Sequence, residues 1–376
     1  MSDTLHVHYE SPSPLNLPPE LLIKIAEVAV SLSPSNDESI VELENARAIS
    51  FCCHALRDVG QKRLFRRIKT DKQLEEVKKS ARLAGFVEEV EWMFCDKDEK
   101  TIPQRVGALT ILVGSCANLL YVTLPYIPFL FLPTVLFYLS SVRAAGALTN
   151  LHLGCSGNGA TNWNGTDLPL FLHALTTFRS LRSLTLDLDL DRIFPPEPET
   201  WAASYASLPP PPELALDDEE EGANEPTASP VYFPFLTHLV LIQHNWSTAV
   251  ASGLLTLLLP TVENVELRDH GVDEAAFFPP TRVAGTTSDE VVALYSFLSR
   301  LPRSLKELRM VSVTIASGAT MNGGAFTAAL NAMSGNLETV TASTEDCQTC
   351  WTRRRDGTWK RLDLDVLFNF ALELDL

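Results

Sequence analysis

The sequence predicts an α/β fold in which a small three-helix domain is followed by a solenoid of short parallel strands with helices outside them. Three observations lead to this prediction. An apolar helical segment opens residues 15–70, a frame of alternating apolar residues recurs between 87 and 342, and helical segments precede many of these frames. Because one helix-strand unit of about thirty residues cannot bury its apolar edge alone, such units are expected to stack.

Charge is distributed unevenly along the 376 residues. The net charge is −17, yet between Arg47 and Arg82 eleven Lys or Arg stand against four Asp or Glu. The local net charge is therefore 11 − 4 = +7, which leaves −24 for the rest of the chain. The acidic total argues against a nucleic-acid partner, and the basic N-terminal module favours a partner with its own charge preference.

Residues 1–14 are polar and are expected to be a disordered N-terminus. They carry no basic and apolar signal pattern, so we expect a cytoplasmic or nuclear protein. The uncharged segment from Val106 to Val142 is apolar enough to suggest a membrane span as an alternative. Pro125, Pro128 and Pro133 interrupt it, which favours a buried strand, a loop and a buried helix and no membrane contact.

The first predicted helix runs from about Pro19 to Ser31 and is apolar around much of its circumference, so it needs cover on two sides. A second helix is expected to begin near Ser39 and to end at Gly60, a residue typical of helix C-termini. A third, basic helix follows from Gln61. Three helices in about fifty residues form a small domain of the kind that a partner often completes.

The N-terminal motif resembles the F-box. Leu17, Pro18, Glu20, Leu21 and Ile25 match the Leu-Pro-x-Glu-Leu part, and Cys53, Arg57, Leu64 and Phe65 match the second part. Leu56 stands where the family prefers a large aromatic residue. The resemblance implies docking onto the Skp-type adaptor of an SCF ubiquitin ligase, and through it onto a cullin. The implied adaptor-binding residues are Leu17, Pro18, Leu21, Leu22, Ile25, Cys52, Cys53 and Leu56. Alternatively, the helices only cap the next domain.

The repeated frame places an apolar residue at its first, fourth and sixth positions. It occurs at 87–92, 119–124, 148–153, 181–186, 236–241, 262–267, 305–310 and 337–342. The pattern resembles the irregular leucine-rich repeats often found behind an F-box, but the Asn or Cys expected three residues after each frame appears only as Cys95. Without an asparagine ladder to satisfy the turn backbones, we expect the repeats to be uneven. We therefore assign residues 15–70 to the F-box-like domain and 71–376 to the solenoid.

Two further segments belong to the predicted solenoid. Residues 195–230 are rich in proline and contain the acidic run Asp217 to Glu221, so they are expected to be a disordered insert. Residues 347–376 are expected to cap the array, with a hairpin that turns at Asp356 and Gly357 and a last helix.

The sequence offers little sign of catalytic chemistry. Cys347 and Cys350 have a redox or half-zinc spacing, and His244, His270 and Asp189 share equivalent repeat positions at which a metal is conceivable. Phosphate loops, nucleophile elbows and paired-histidine metal motifs are not found. We therefore expect a non-enzyme with no cofactor and no metal, although an enzyme that uses Cys347 and Cys350 stays open as an alternative.

Function is then expected to lie in surfaces. The two positions flanking the central apolar residue of each frame should point away from the core, because strand side chains alternate between faces. The predicted substrate-binding residues are Tyr121, Thr123, Asn150, His152, Ser183, Thr185, His238, Asn264, Glu266 and Arg309. The first hypothesis is a substrate-recognition subunit of a ubiquitin ligase that holds an unidentified target protein. The second is a repeat scaffold for protein interactions without a ligase.

Overall fold

The computed structural model divides the chain into two compact units, which are residues 1–89 with 115–118 and residues 90–114 with 119–376. The first unit includes the segment that follows residue 70. The structure describes residues 18–31, 40–52, 54–92, 102–141, 146–156, 167–188, 206, 208, 231–242, 258, 260–268, 301–311, 330, 335–343 and 348–363.

The first unit is mainly helical. Its elements are α1 (Pro19–Ser31), α2 (Ile40–Cys52), α3 (His54–Arg66), the short strand β1 (Arg67–Ile68), α4 (Asp71–Lys78) and α5 (Ala81–Ala84). The helix α1 has the predicted bounds. Near its start, the amides of Leu21 and Leu22 donate to the Pro18 carbonyl oxygen over 2.9 and 3.1 Å. The buried side of this unit includes Ala26, Ala46 and Phe65.

Gly60 lies inside α3, and the prediction that it ends the second helix is wrong. A Cβ atom at this position would stand 2.4 Å from the Ala46 carbonyl oxygen and 2.6 Å from the Ser50 amide nitrogen, both in α2. The missing side chain thus lets the backbones of α2 and α3 approach closely. This packing role explains a glycine that costs helix stability locally.

The helix α4 is fixed at its N-terminus by a capping box. Thr70 accepts a hydrogen bond from the Gln73 backbone amide, and the Gln73 side chain accepts one from the Thr70 amide. The Gln73 side-chain amide also donates to the Leu64 carbonyl oxygen over 3.1 Å. One glutamine therefore caps α4 and ties it to the end of α3.

The described residues contain eleven strands, which form one open sheet whose spatial order is the chain order. The further strands are β2 (Glu89–Glu91), β3 (Tyr121–Pro128), β4 (Asn150–Ser156), β5 (Ser183–Asp187), β6 (His238–Ile242), β7 (Asn264–Arg268), β8 (Glu307–Val311), β9 (Thr339–Ser343), β10 (Gln348–Arg353) and β11 (Trp359–Asp363). Each of the eight predicted frames contains the start of one of the strands β2 to β9. The predicted α/β class is confirmed at this level.

The strands β3 to β9 pair in parallel, each with the next along the chain. The final strands β10 and β11 pair antiparallel and form the predicted hairpin after β9. Gly357 in its turn has a φ of 84°, a backbone conformation that glycine adopts without a steric penalty. The predicted last helix, after residue 363, lies outside the described residues.

Helices precede three of the parallel strands in the described part of the chain. They are α6 (Ile102–Ser115) before β3, α7 (Leu132–Ser141) before β4 and α8 (Asp167–Thr176) before β5. The apolar segment 106–142 thus becomes helix, strand, the 3-10 turn Phe129–Phe131 and helix. No helix among the described residues is both long and apolar enough to cross a bilayer. The helical segments predicted before β7, β8 and β9 lie outside the described residues, apart from a few buried positions such as Leu258 and Leu330.

A core row runs along the sheet in strict register. It consists of Val122, Leu151, Leu184, Leu239, Val265, Leu308 and Val340, one from each parallel strand. Each is at most 3% exposed. Burying one such side chain contributes about 1.5–3 kcal/mol before entropy is counted, so this row accounts for a large share of the sheet's stability.

The six junctions between the parallel strands β3 to β9 repeat one hydrogen-bond pattern. The carbonyl oxygen of the residue just before a strand accepts two amides from the next strand's first residue and the residue before it. For example, Arg182 and Ser183 donate to Thr149 over 2.8 and 3.1 Å, and Glu338 and Thr339 donate to Lys306 over 2.8 and 3.1 Å. The same pair of bonds ends on the oxygens of Leu120, Arg182, Thr237 and Glu263. The repeats are therefore equivalent in backbone geometry at the start of their strands, although they differ in length.

Side chains also join neighbouring repeats at the residue that precedes three of the frames. Thr261 donates to the carbonyl oxygens of Phe233 and Leu236 over 2.7 and 3.0 Å, and Ser304 donates to those of Pro260 and Val262 over 3.2 and 2.9 Å. Ser180 donates in the same way to the Gly146 oxygen. We call Ser180, Thr261 and Ser304 the hydroxyl row.

Candidate functional site

The candidate site is the sheet face opposite the core row. Its first row consists of the first residue of each parallel strand, namely Tyr121, Asn150, Ser183, His238, Asn264, Glu307 and Thr339. Its second row lies two residues further on and consists of Thr123, His152, Thr185, Val240, Glu266, Arg309 and Thr341. All ten predicted substrate-binding residues lie in these rows, and neighbours are in register.

Most side chains of this face are half-buried or exposed. Only Thr341, at 9%, counts among the buried polar side chains. Tyr121 is 39% exposed at the β3 end, and Cys350 in β10 pairs with Thr341, so the face continues into the hairpin. The Thr341 hydroxyl lies 3.9 Å from the Cys350 sulfur. A continuous surface of polar side chains thus crosses at least eight strands.

Contacts between neighbouring side chains fix several residues in the second half of the face. The His238 ring nitrogens lie 2.9 Å from the Thr237 hydroxyl and 3.1 Å from the Asn264 side-chain amide. Glu266 is held between two arginines, because Arg268 donates to it and Arg309 lies 3.7 Å from it. Ordered polar side chains lose less entropy when a ligand binds.

Asp187, Ile242 and Arg268 form a third row that the sequence analysis missed. The frame contains two outward positions, but β5, β6 and β7 run one residue beyond it, and the alternation continues. The sequence signal for these residues is the extended alternation in "SLTLD", "HLVLI" and "NVELR". With this row, the face carries the cation of Arg268 next to the carboxylate of Glu266.

His152 is the second member of the second row and lies between Thr123 and Thr185. Its Nε2 atom is buried and has no hydrogen-bond partner in the described part of the chain. Burial is the main cause that lowers the pKa of His152 below 6.5, and Arg268 lowers this pKa further, while Asp187 and Glu91 act in the opposite direction. The imidazole is therefore mostly neutral at pH 7, and Nε2 is available to a ligand that donates or accepts one hydrogen bond.

The face also depends on a close backbone approach between β3 and β4. The pairing shifts register between Leu124 and Ile127, and the bulge brings the Pro125 backbone over Gly154. A Cβ atom on Gly154 would stand 2.2 Å from the Pro125 carbonyl oxygen. Glycine at this position lets the strand β4 continue beside the bulged strand.

The predicted adaptor-binding residues lie in the helical unit. Leu21 and Ile25 are 47% and 56% exposed on α1, and Val28, one turn further on, is 56% exposed. We call Leu21, Ile25 and Val28 the α1 stripe. Pro18 is exposed, while Leu22 and Leu56 are half-buried. Leu17, Cys53 and the side chain of Cys52 lie outside the described residues.

The α1 stripe is unusual for a helix of a small folded unit. Large apolar side chains that lie together and in water are typical of interaction surfaces, while single exposed ones are common. The spacing of four and three residues places all three members on one side of the helix. The stripe can therefore bury its side chains against another surface without a change in α1.

The cysteine and metal alternatives receive no support from the described residues. No group of three His, Cys, Asp or Glu residues that could hold a metal is found among them. Cys350 is a half-buried free thiol. Cys347, Asp189, His244 and His270 lie outside the described residues, so their predicted roles stay predictions.

The chain matches no protein-family model. It also matches no curated protein.

Proposed function

We propose that this chain is the substrate-recognition subunit of an SCF-type ubiquitin ligase. In this proposal the helical unit is an F-box that docks on a Skp-type adaptor, and the adaptor binds a cullin. The second unit is an irregular leucine-rich-repeat solenoid that holds a target protein. The chain positions its target, and other subunits carry out ubiquitin transfer.

The observation that carries the proposal is the α1 stripe within the Leu-Pro-x-Glu-Leu helix. The same helix provides the motif residues and exposes apolar side chains that a partner would bury. Covering Leu21, Ile25 and Val28 would remove apolar surface from water, which favours binding before the entropy cost of association is subtracted.

The in-register face of the second unit supports the other half of the proposal. It offers two complete rows and part of a third of mostly polar side chains on short strands, and it contains His152 with an unpartnered ring nitrogen. A target protein would be recognised there through hydrogen bonds and ion pairs, with Glu266, Arg268 and Arg309 as the charged group. Polar residues held in a fixed array favour one partner over others.

The test is binding of the full chain to a purified Skp-type adaptor, measured by calorimetry, followed by copurification with a cullin. The double variant Leu21→Glu with Ile25→Glu is expected to weaken adaptor binding at least about 30-fold, because two buried anchor residues each typically contribute more than about 1 kcal/mol. Circular dichroism would check that the variant keeps its helix content.

The matched control is Leu130→Glu with Leu170→Glu in the second unit. These leucines are 59% and 41% exposed, so the control adds the same charge at similarly exposed apolar sites. We expect it to bind the adaptor like the unchanged chain. If the unchanged chain does not bind the adaptor, or if the α1 variant binds equally well, the ligase proposal fails and the scaffold hypothesis takes its place.

A further inference from the structure

A cleft of about 990 Å³ lies in the helical unit, and residues of α2, α3, α4 and α5 line it. Its apolar lining consists of Phe51, Leu64, Phe65 and Leu83. Phe51 is 82% exposed, while Phe65 is buried. The α1 stripe does not contribute to the lining, so the cleft is a separate surface of the same unit.

Every one of these helices contributes a cationic side chain to the lining, which indicates that the cleft binds an anionic ligand. Arg47 belongs to α2, Arg57 to α3, Lys72 to α4 and Arg82 to α5, and Lys79 is the residue just after α4. Arg67 and Lys69, between α3 and α4, complete the set. Among the described residues that line the cleft, Glu76 is the one carboxylate. The lining therefore has seven cations against one anion.

Ion pairs outside the lining hold two of these cations in place. Arg67 lies 2.8 Å from Glu89, and Arg82 lies 2.9 Å from Asp58. Arg82 also donates to Gln61. Cations that are already ordered lose less conformational entropy when they bind an anion, which favours affinity.

The ligand must combine charge with apolar groups. Leu64 and Leu83 line the same cleft as these cations, and aliphatic side chains fit such a lining. A single strand of nucleic acid instead uses successive aromatic platforms, and Phe51 is the one exposed aromatic residue described in this cleft. A long polyanion would also meet a chain with a net charge of −24 outside residues 47–82.

We propose that this cleft binds a short acidic segment of a partner protein in which apolar residues alternate with Asp or Glu. The apolar side chains contact Leu64, Leu83 and Phe51, and the carboxylates pair with Arg47, Lys72 and Lys79. This proposal does not rest on the ligase proposal, because it uses different residues of the helical unit. The basic residues between Arg47 and Arg82 would thus bind an acidic peptide segment in this cleft.

The test uses a short fluorescein-labelled peptide in which leucine alternates with glutamate, with fluorescence anisotropy of the full chain as the readout. The glutamate peptide is expected to bind, and a peptide with glutamine in place of glutamate is expected to bind about tenfold more weakly or less. Arg47→Glu with Lys72→Glu is expected to weaken binding by about tenfold or more, because two attractive contacts become repulsive.

The control reverses two exposed cations of the second unit, Arg303→Glu with Lys360→Glu. It changes the net charge equally and is expected to alter peptide binding less than about twofold, since neither residue lines the cleft. Equal losses in both variants, or equal binding of both peptides, would overturn the proposal. Stronger competition by a short oligothymidylate than by unlabelled peptide would replace it with a nucleic-acid site.

The same assay separates this proposal from the proposed function. Leu21→Glu with Ile25→Glu is expected to keep peptide binding while it loses the adaptor. Arg47→Gln with Lys72→Gln, which removes charge without reversing it, is expected to give an intermediate loss of peptide binding. Helix content measured by circular dichroism shows whether each variant is folded, so a loss of binding can be assigned to the cleft.

Discussion

Gly154 shows how a single residue shapes the candidate site. The bulge in β3 places the Pro125 carbonyl oxygen where a side chain on Gly154 would lie, and the two backbones cannot both keep their positions around a Cβ atom. The second-row residues Thr123 and His152 are directly paired just before this point. The geometry of the face at β3 and β4 therefore depends on this glycine.

Gly154→Ala is expected to destabilise the second unit by about 2 kcal/mol or more, because the 2.2 Å approach forces a backbone shift. The measurement is the urea midpoint of the purified chain. The control is Gly107→Ala in α6, where nothing lies within 4 Å of the added Cβ and the helix gains up to about 1 kcal/mol. Equal midpoints for the two variants would contradict this account of Gly154.

At the scale of elements, the hydroxyl row provides hydrogen bonds between repeats that the sequence did not predict. The missing asparagines predicted uneven repeats with poorly satisfied turns. In the structure, the hydroxyl row donates instead to carbonyl oxygens of the preceding repeat, from Ser180, Thr261 and Ser304. These three residues lie in turns just before a frame. Ser and Thr are common in turns for other reasons, so their role was not visible in the sequence.

Thr261→Val and Ser304→Ala are each expected to lower the free energy of unfolding of the second unit by about 1–2 kcal/mol, because each removes two hydrogen bonds to carbonyl oxygens of the preceding repeat. Urea unfolding followed by tryptophan fluorescence measures the change. Ser140→Ala serves as the control, since its hydroxyl bonds to Phe137 within the same helix, and it is expected to change stability by less than about 0.5 kcal/mol. If Ser140→Ala lowers the free energy of unfolding as much as Thr261→Val does, the hydrogen bonds between repeats have no special effect on stability.

The strands were predictable because their signal is local. Alternation along one strand decides which side chains face the core, so β2 to β9 and the two outward rows follow from the frame. Gly60 was misread because its reason lies in a helix ten or more residues away, at Ala46 and Ser50. The third row was missed because strand length depends on pairing with neighbours. The basic cleft was visible only as a charged stretch, since four helices must fold before its cations line one space.

At the scale of the whole molecule, the sheet order equals the chain order, and each parallel strand pairs only with its sequence neighbours. The stability of such an array is close to the sum of the stabilities of its repeats and of the contacts between adjacent repeats. A defect in one strand should then affect the strands next to it more than distant ones. The helical unit has its own buried residues, among them Ala46, Phe65 and Leu74.

Leu184→Ala is expected to remove about 2–5 kcal/mol from the middle of the core row, where Leu184 is fully buried in β5. Hydrogen exchange should then speed up in β4, β5 and β6, while the amides of α4 keep their rates, because local openings follow contiguous units. The conservative Leu184→Met should show a smaller change with the same distribution. Uniformly faster exchange from α4 to β11 would instead mean that the chain opens as one cooperative body, and the description of the sheet as a series of coupled neighbours would then be wrong.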